Sequence, residues 1–307
     1  MLLKPGAVKK ILSISMLIFF VTVIGCSRGT NQAVIKEGGE TENNKITRII
    51  SAAPSITEII AGLGLAGKLV AVDKYSKDVE GVKADLPEID FFNPDIEAIA
   101  GMKPDIIISG EINTNGREAA PYRFFTQLGV HVVEIPTSNS INDIYHDIMT
   151  IAQSLGVAEK GEELVREMRG QIEIIASRVR SKTNAANSAS ETKTVYFEIA
   201  PAPNTVSFGR ETYLNELIEI IGAQNIFAAE KRWFTPGPEA VISANPDIIF
   251  ILSGISNSEE VKNRPGFRYV NAVRQNNVYV IDANRASRPS QNIALALEEM
   301  YKAVWGE

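Results

Sequence analysis

The chain has 307 residues, 45% of them hydrophobic, with a formal net charge of −6 and a single cysteine. That length suits two domains of ordinary size rather than one small core. The acidic balance excludes a nucleic-acid surface, which needs clustered positive charge, and one cysteine excludes any disulfide within the chain.

In chain order, the first ten residues carry Lys4, Lys9 and Lys10, residues 11–25 (ILSISMLIFFVTVIG) are apolar, and Cys26 follows. A basic start, a short apolar core and small residues at its end describe a secretory signal over 1–25, too short for a comfortable membrane span. Val23-Ile24-Gly25-Cys26 looks like a bacterial lipobox. It implies cleavage before Cys26 and acylation of that residue, the alternative being an uncleaved anchor helix. Either way the body lies outside the cytoplasm. Loss of the three lysines takes the net charge from −6 to −9. Residues 26–46 are polar, Gly-rich and aperiodic, and read as a lipidated flexible tether.

The body starts at Thr47. Short apolar runs at 48–51, 69–72, 105–109 and 132–135 read as strands, separated by helical segments at 55–63, 95–102, 118–128 and 140–155. Ser55 with Glu58 matches a capping box. Strands alternating with helices imply parallel α/β sheets. Residues 158–181 carry apolar positions at a three-to-four spacing (Leu164, Val165, Met168, Ile172, Ile175, Val179) and predict one long helix. The polar stretch SKTNAANSASETK follows it. The pattern then repeats, with strands at 194–199, 248–252 and 278–281 and helices at 211–221, 238–244, 258–262 and 290–304. The expected domains are an N-terminal lobe over 47–155, a linking helix over 156–182 and a C-terminal lobe over 183–307.

One stretch occurs twice: EAIAGMKPDIII at 97–108 and EAVISANPDIIF at 239–250. Glu97 and Glu239 therefore stand at equivalent places in two similar halves, as if to meet a two-fold symmetric partner. A plainer explanation is equally open: an acid in the first helical turn complements the helix dipole. Gly62-Leu63-Gly64-Leu65-Ala66-Gly67 matches GxGxxG, but it follows a helix and precedes a strand. That is the reverse of a dinucleotide loop, and Gly62 and Gly64 read as helix-ending glycines. Two histidines, His131 and His146, are too few for a metal centre. No motif of hydrolytic or phosphoryl chemistry is present. Aromatic residues cluster on loops at matched points of the halves: Tyr75, Phe91-Phe92 and Trp233-Phe234. Beyond the carboxyl ends of parallel strands, such rings can hold a large flat or chelated ligand. Arg285 and Arg288 follow the last strand and could meet an anionic ligand.

Taken together, RIISAAPSITEIIAGLGLAGKLVAVD, NPDIEAIAGMKPDIIISG, NPDIIFILSG, VNAVRQNNVYVID and ASRPSQNIALALEEMYKA resemble the periplasmic binding proteins of iron-siderophore, haem and vitamin B12 ABC importers. The likeness runs from about residue 47 to 305 in the same order, with the lipobox in front. It implies an α/β fold of two Rossmann-like lobes joined by one long backbone helix, with ligand between the lobes and little closure. It implies that Glu97 and Glu239 dock on arginines of the two permease subunits, which an ATPase drives. It also implies that Tyr75, Phe91 and Trp233 are aromatic ligand contacts, as in the vitamin-B12-binding members. Two departures, Ser109-Gly110-Glu111 and Ile199-Ala200-Pro201 where the pattern expects an aromatic, set a ferric chelate beside cobalamin as the expected cargo. The expectation is thus a lipid-anchored, non-enzymatic binding component with no cofactor or resident metal. A corrinoid binder is the alternative within the class, and a surface enzyme on the same scaffold the alternative outside it.

Overall fold

The computed structural model describes residues 46–111, 122–185 and 192–306, and Lys45–Glu307 forms one compact unit. The signal, Cys26 and the tether lie outside the described residues. The first lobe contains β1 (Ile49–Ser51), α1 (Pro54–Gly62), β2 (Leu69–Asp73), β3 (Glu88–Ile89), α2 (Ile96–Gly101), β4 (Ile106–Gly110), α3 (Phe124–Gln127), β5 (His131–Ile135) and α4 (Ile141–Ser154). Helix α5 (Ala158–Ala185) leads to the second lobe: β6 (Thr194–Glu198), β7 (Ser207–Phe208), α6 (Tyr213–Ile220), β8 (Gln224–Asn225), β9 (Trp233–Phe234), α7 (Pro238–Ala244), β10 (Ile248–Leu252), α8 (Ser258–Lys262), α9 (Asn271–Arg274), β11 (Val278–Ile281), α10 (Ala283–Ser287) and α11 (Ile293–Trp305).

The first sheet runs β3-β2-β1-β4-β5 and the second β11-β10-β6-β8, all parallel. Matching β1 with β6, β4 with β10, β5 with β11 and β2 with β8 superposes one strand order on the other, as the repeat requires. Its Pro-Asp part has a local reason. Asp105 accepts from the backbone amides of Thr47 and Arg48 at 2.7 and 2.9 Å and from Thr47 Oγ1 at 3.0 Å. Asp247 accepts from the amide and hydroxyl of Thr194 at 2.9 Å each. Each aspartate, just ahead of β4 or β10, pins the entry of the neighbouring central strand. These bonds, with the Thr47 amide the strongest, hold the Asp105 carboxyl below its usual range.

Helix α1 starts one residue earlier than Ser55 suggests. Pro54 occupies its first turn, where a missing N–H is harmless, and Ala53 at the N-cap makes no side-chain cap bond. The expected capping box is therefore absent, because Glu58 is drawn into the lobe junction. The helix ends in a Schellman pattern: Gly64 N bonds Ala61 O at 2.8 Å, Leu65 N bonds Ile60 O at 3.0 Å, and Gly64 has φ +73°. Gly62 is required by proximity instead, since a Cβ there would meet Gln291 Nε2 at 2.9 Å. The expected segment 118–128 is described only in its second part, which holds α3. Strands β3 and β8, the ribbon β7–β9 and helices α9 and α10 were not expected; each of these strands and helices is five residues or shorter.

Helix α5, 28 residues and hence about 42 Å long, buries Leu164, Met168, Ile175 and Val179. The core these enter is continuous. It joins Ile49 and Ile106 of the first sheet, Val195 and Phe250 of the second, and Leu297 of α11. The lobes are also tied by polar groups. Arg288, 8% exposed, donates to Glu58 Oε1 at 3.0 Å, Asp78 Oδ1 at 3.0 Å and the Tyr75 carbonyl at 2.8 Å. Ser290 and Asn292 also donate to Glu58. Between the other flanks, Glu216 of α6 accepts the Ile141 amide at the start of α4 at 2.7 Å.

Two outcomes follow. Arg288→Met is expected to lower the unfolding free energy by about 3–5 kcal/mol, because Glu58 stays buried without its cation. Adding Glu58→Gln should recover part of that loss in urea titrations, and no recovery would remove the account. The second concerns Asp147 on the apolar face of α4, 6% exposed, which burial pushes up to about 6 despite a 2.6 Å bond from Ser138 Oγ. Its folded pKa lies above its unfolded one. The penalty for ionising it is therefore absent at low pH, sets in between the two values and is complete above about 6. Asp147→Asn should stabilise the fold by about 2 kcal/mol at neutral pH and by almost nothing near pH 4, read from paired thermal melts.

Candidate functional site

In parallel sheets all carboxyl ends emerge at one edge, and here the loops leaving β1, β2, β3, β4 and β5 gather there. Two hollows meet around Ala53–Ser55. The first, about 350 Å³, lies within the N-terminal lobe under Tyr75, Phe91 and Phe92. The second, about 250 Å³, lies between the lobes, with Ser55, Glu111, Ser138 and Asp147 on one side and Tyr213 and Trp233 on the other. A Cβ placed on Gly110 would sit 3.7 Å from the Phe91 ring, so the hollows are neighbours.

The aromatic loops are held from beneath. Asp73, closing β2, accepts the Tyr75 amide at 2.9 Å, and Asp90 after β3 accepts those of Phe92 and Asn93 at 2.8 and 3.0 Å. Both are Asx turns, which fix a loop by a side-chain bond to backbone two or three residues on. Buried hydroxyls of Ser51, Thr57 and Ser76 link the Tyr75 loop to β1 and α1. With its loop fixed, Tyr75 keeps 63% of its surface exposed, and Lys74 Nζ lies 4.8 Å from its ring. Phe91 is half-buried and packs edge-on against Phe92 at 5.0 Å. Trp233, 43% exposed, leans on fully buried Phe208, its partner in the ribbon, at 5.7 Å. Tyr213, which lines the same hollow, donates to the Ala286 carbonyl at 2.9 Å, and burial raises its pKa.

Arg288 is not brought to this surface. Its guanidinium is buried and engaged by Glu58, Asp78 and the Tyr75 carbonyl, away from the two hollows where it was expected to meet a ligand. It supports the Tyr75 loop from the opposite lobe. Arg285 is drawn to Glu299.

Residues that sequence reasoning missed are Ser138, Glu111 as a lining side chain, and Asp147. A signal for Asp147 existed: it interrupts the apolar stripe Ile144–Ile148–Ile151 of α4.

Glu97 and Glu239 occupy the second position of α2 and α7, each exposed. Neither has an ion pair among the described residues. The Asp95 side chain caps α2 by accepting from Ala98 N at 2.9 Å, so Glu97 is not needed there. Pro94 precedes that cap, whereas Pro238 lies in the first turn of α7. Each helix runs back against the strand it feeds, so each acid sits at the carboxyl-end edge of its own sheet.

His131 and His146 are both exposed, and no cluster of metal-ligating side chains is present among the described residues. No helix of the described residues is long and apolar enough to cross a membrane.

Comparison with known proteins agrees with this architecture. A family model described as periplasmic binding protein matches residues 49–285. The ABC transporter substrate-binding lipoprotein YvrC of Bacillus subtilis is 26% identical over 310 residues, covering 95% of each chain. A vitamin B12-binding protein of Vibrio parahaemolyticus is 24% identical, covering 84% of this chain and 89% of the relative. The crystal structure of a possible iron-binding periplasmic solute-binding protein from Staphylococcus epidermidis matches with a TM-score of 0.73 and 28% identity, over 85% of this chain and 99% of that one. Proteins of this kind bind solutes and are not enzymes. A two-lobed α/β body with an aromatic-rimmed cleft, matched over most of its length by this model, belongs to the periplasmic binding protein family and is the substrate-binding component of an ABC importer.

Proposed function

We propose that the chain captures a metal chelate, a ferric siderophore or related iron complex, in the interlobe cleft and delivers it to a dimeric permease with its ATPase. The observation that supports this reading is the pair of supported, half-to-mostly exposed rings on opposite lobes, Tyr75 over the N-terminal hollow and Trp233 on the neighbouring interlobe hollow. Rings held exposed at the mouth of a hollow mark a surface that a ligand can cover, and flat or shell-like complexes suit it. Phe91 completes the N-terminal side. A corrinoid is the second reading, favoured by the vitamin B12-binding relative.

Glu97 and Glu239 are the docking acids in this reading. Two exposed carboxylates on equivalent helices suit arginines on two permease subunits, charge-assisted and bidentate. Cys26 is the lipidated first residue of the mature protein and holds the body at the membrane, in line with the lipoprotein relative.

A thermal-shift screen with ferric siderophores, haem and cobalamins tests the cargo, since a ligand at 100 times its Kd adds about 2.7 kcal/mol. Trp233→Ala is expected to weaken binding of the hit by about 1–3 kcal/mol; unchanged affinity with an intact fold would place the ligand elsewhere. Glu97→Ala with Glu239→Ala should leave affinity and nearly all stability intact but abolish uptake in cells. Full uptake by the double variant at normal protein level would reject the docking role.

A further inference from the structure

We infer that the cargo carries no net negative charge: the cleft is built for a neutral or cationic chelate. This rests on the reading of the cleft as the chelate site and goes beyond it.

The charged groups lining the interlobe hollow are Glu111 and Asp147, and no lysine, arginine or histidine lines it among the described residues. Glu111 is exposed, and its partner among the described residues is the Thr137 amide at 3.3 Å. In the adjoining hollow Asp73 and Asp90 stand against Lys74 alone, and Lys74 lies over the Tyr75 ring. Cations nearby are already engaged. Arg288 is buried against Glu58 and Asp78, and Lys231 and Arg232, beside Trp233, pair with Glu211 at 2.9 and 3.7 Å.

The rings point the same way. An aromatic face carries partial negative charge and attracts cations. An anion seated in the interlobe hollow would lose water and gain no guanidinium or ammonium from its lining in return. A ferric hydroxamate complex, neutral or singly positive, meets these conditions, as does a corrinoid. A ferric tris-catecholate, with three negative charges, and haem, with two carboxylates, do not.

The test measures affinity of the whole chain, purified in detergent, for six probes by quenching of tryptophan fluorescence. The probes are ferrioxamine B (cationic), ferrichrome (neutral), aquacobalamin (cationic), cyanocobalamin (neutral), ferric enterobactin (trianionic) and haem. At least one neutral or cationic probe is expected to bind at least about tenfold more tightly than either anionic one. Glu111→Gln should weaken a cationic probe by about threefold to fivefold relative to its neutral counterpart, and added salt should shrink that gap. Glu111 is exposed, so this variant folds whether or not Asp147 tolerates change. Tighter binding of ferric enterobactin or haem than of every other probe overturns the charge assignment and leaves the chelate reading standing. A cationic probe that binds and is indifferent to Glu111→Gln likewise overturns it. Binding of none of the six overturns the chelate reading and this inference with it.

Discussion

Glu58 is a carboxylate with 5% of its surface exposed, placed where two lobes meet, and much of the molecule is arranged to keep it there. Its partners Arg288, Ser290 and Asn292 lie more than 200 residues away in sequence. A buried charge of this kind is costly unless every lone pair is met. The segment between α10 and α11 can therefore take few positions other than the one that meets it. Below it the apolar core passes without a break from the first sheet through α5 to the second. Packed cores are not continuously deformable, so this core resists a change in the spacing of the lobes. A preformed surface of that kind would leave loss of freedom on binding mainly to the ligand's own groups.

The repeated stretch divides its labour. Its Pro-Asp half serves the fold, since Asp105 and Asp247 each bind the entry of a central strand. Its Glu half has no such duty, since Glu97 and Glu239 are exposed and make no ion pair among the described residues. Common descent of the halves explains why both features recur. It does not explain why the two acids stayed solvated while the two aspartates were put to structural use.

The central strands were legible because strands covered on both faces, such as the wholly buried IIFIL of β10, appear as unbroken apolar runs. Long α5 was legible from its 3.6-residue periodicity. The ribbon β7–β9 was not: two-residue strands have no period, and only the pairing of Ser207 with Phe234 and Phe208 with Trp233 creates them. Tyr75, Phe91 and Trp233 could be named because aromatic residues on loops are conspicuous. The surroundings of Arg288 were not legible for a general reason. A guanidinium after a strand end looks the same in sequence whether it faces a ligand or a carboxylate 230 positions away. Glu58 misled in the same way, as half of a capping pattern that Pro54 made unnecessary.

Trp233 belongs to a ribbon that joins neither parallel sheet. Its support is one buried ring, Phe208, and a short antiparallel pairing. Strand β7 is buried, with Phe208 in the core and Ser207 Oγ donating to the Phe197 carbonyl, whereas β9 stays near the surface. On the proposed reading, substitutions at Trp233 would change which cargo is accepted while the strand clamps and the helix-borne acids stay as they are. Such a division would let a lineage acquire new nutrients without rebuilding its transporter, and gives the engineer one exposed position to vary.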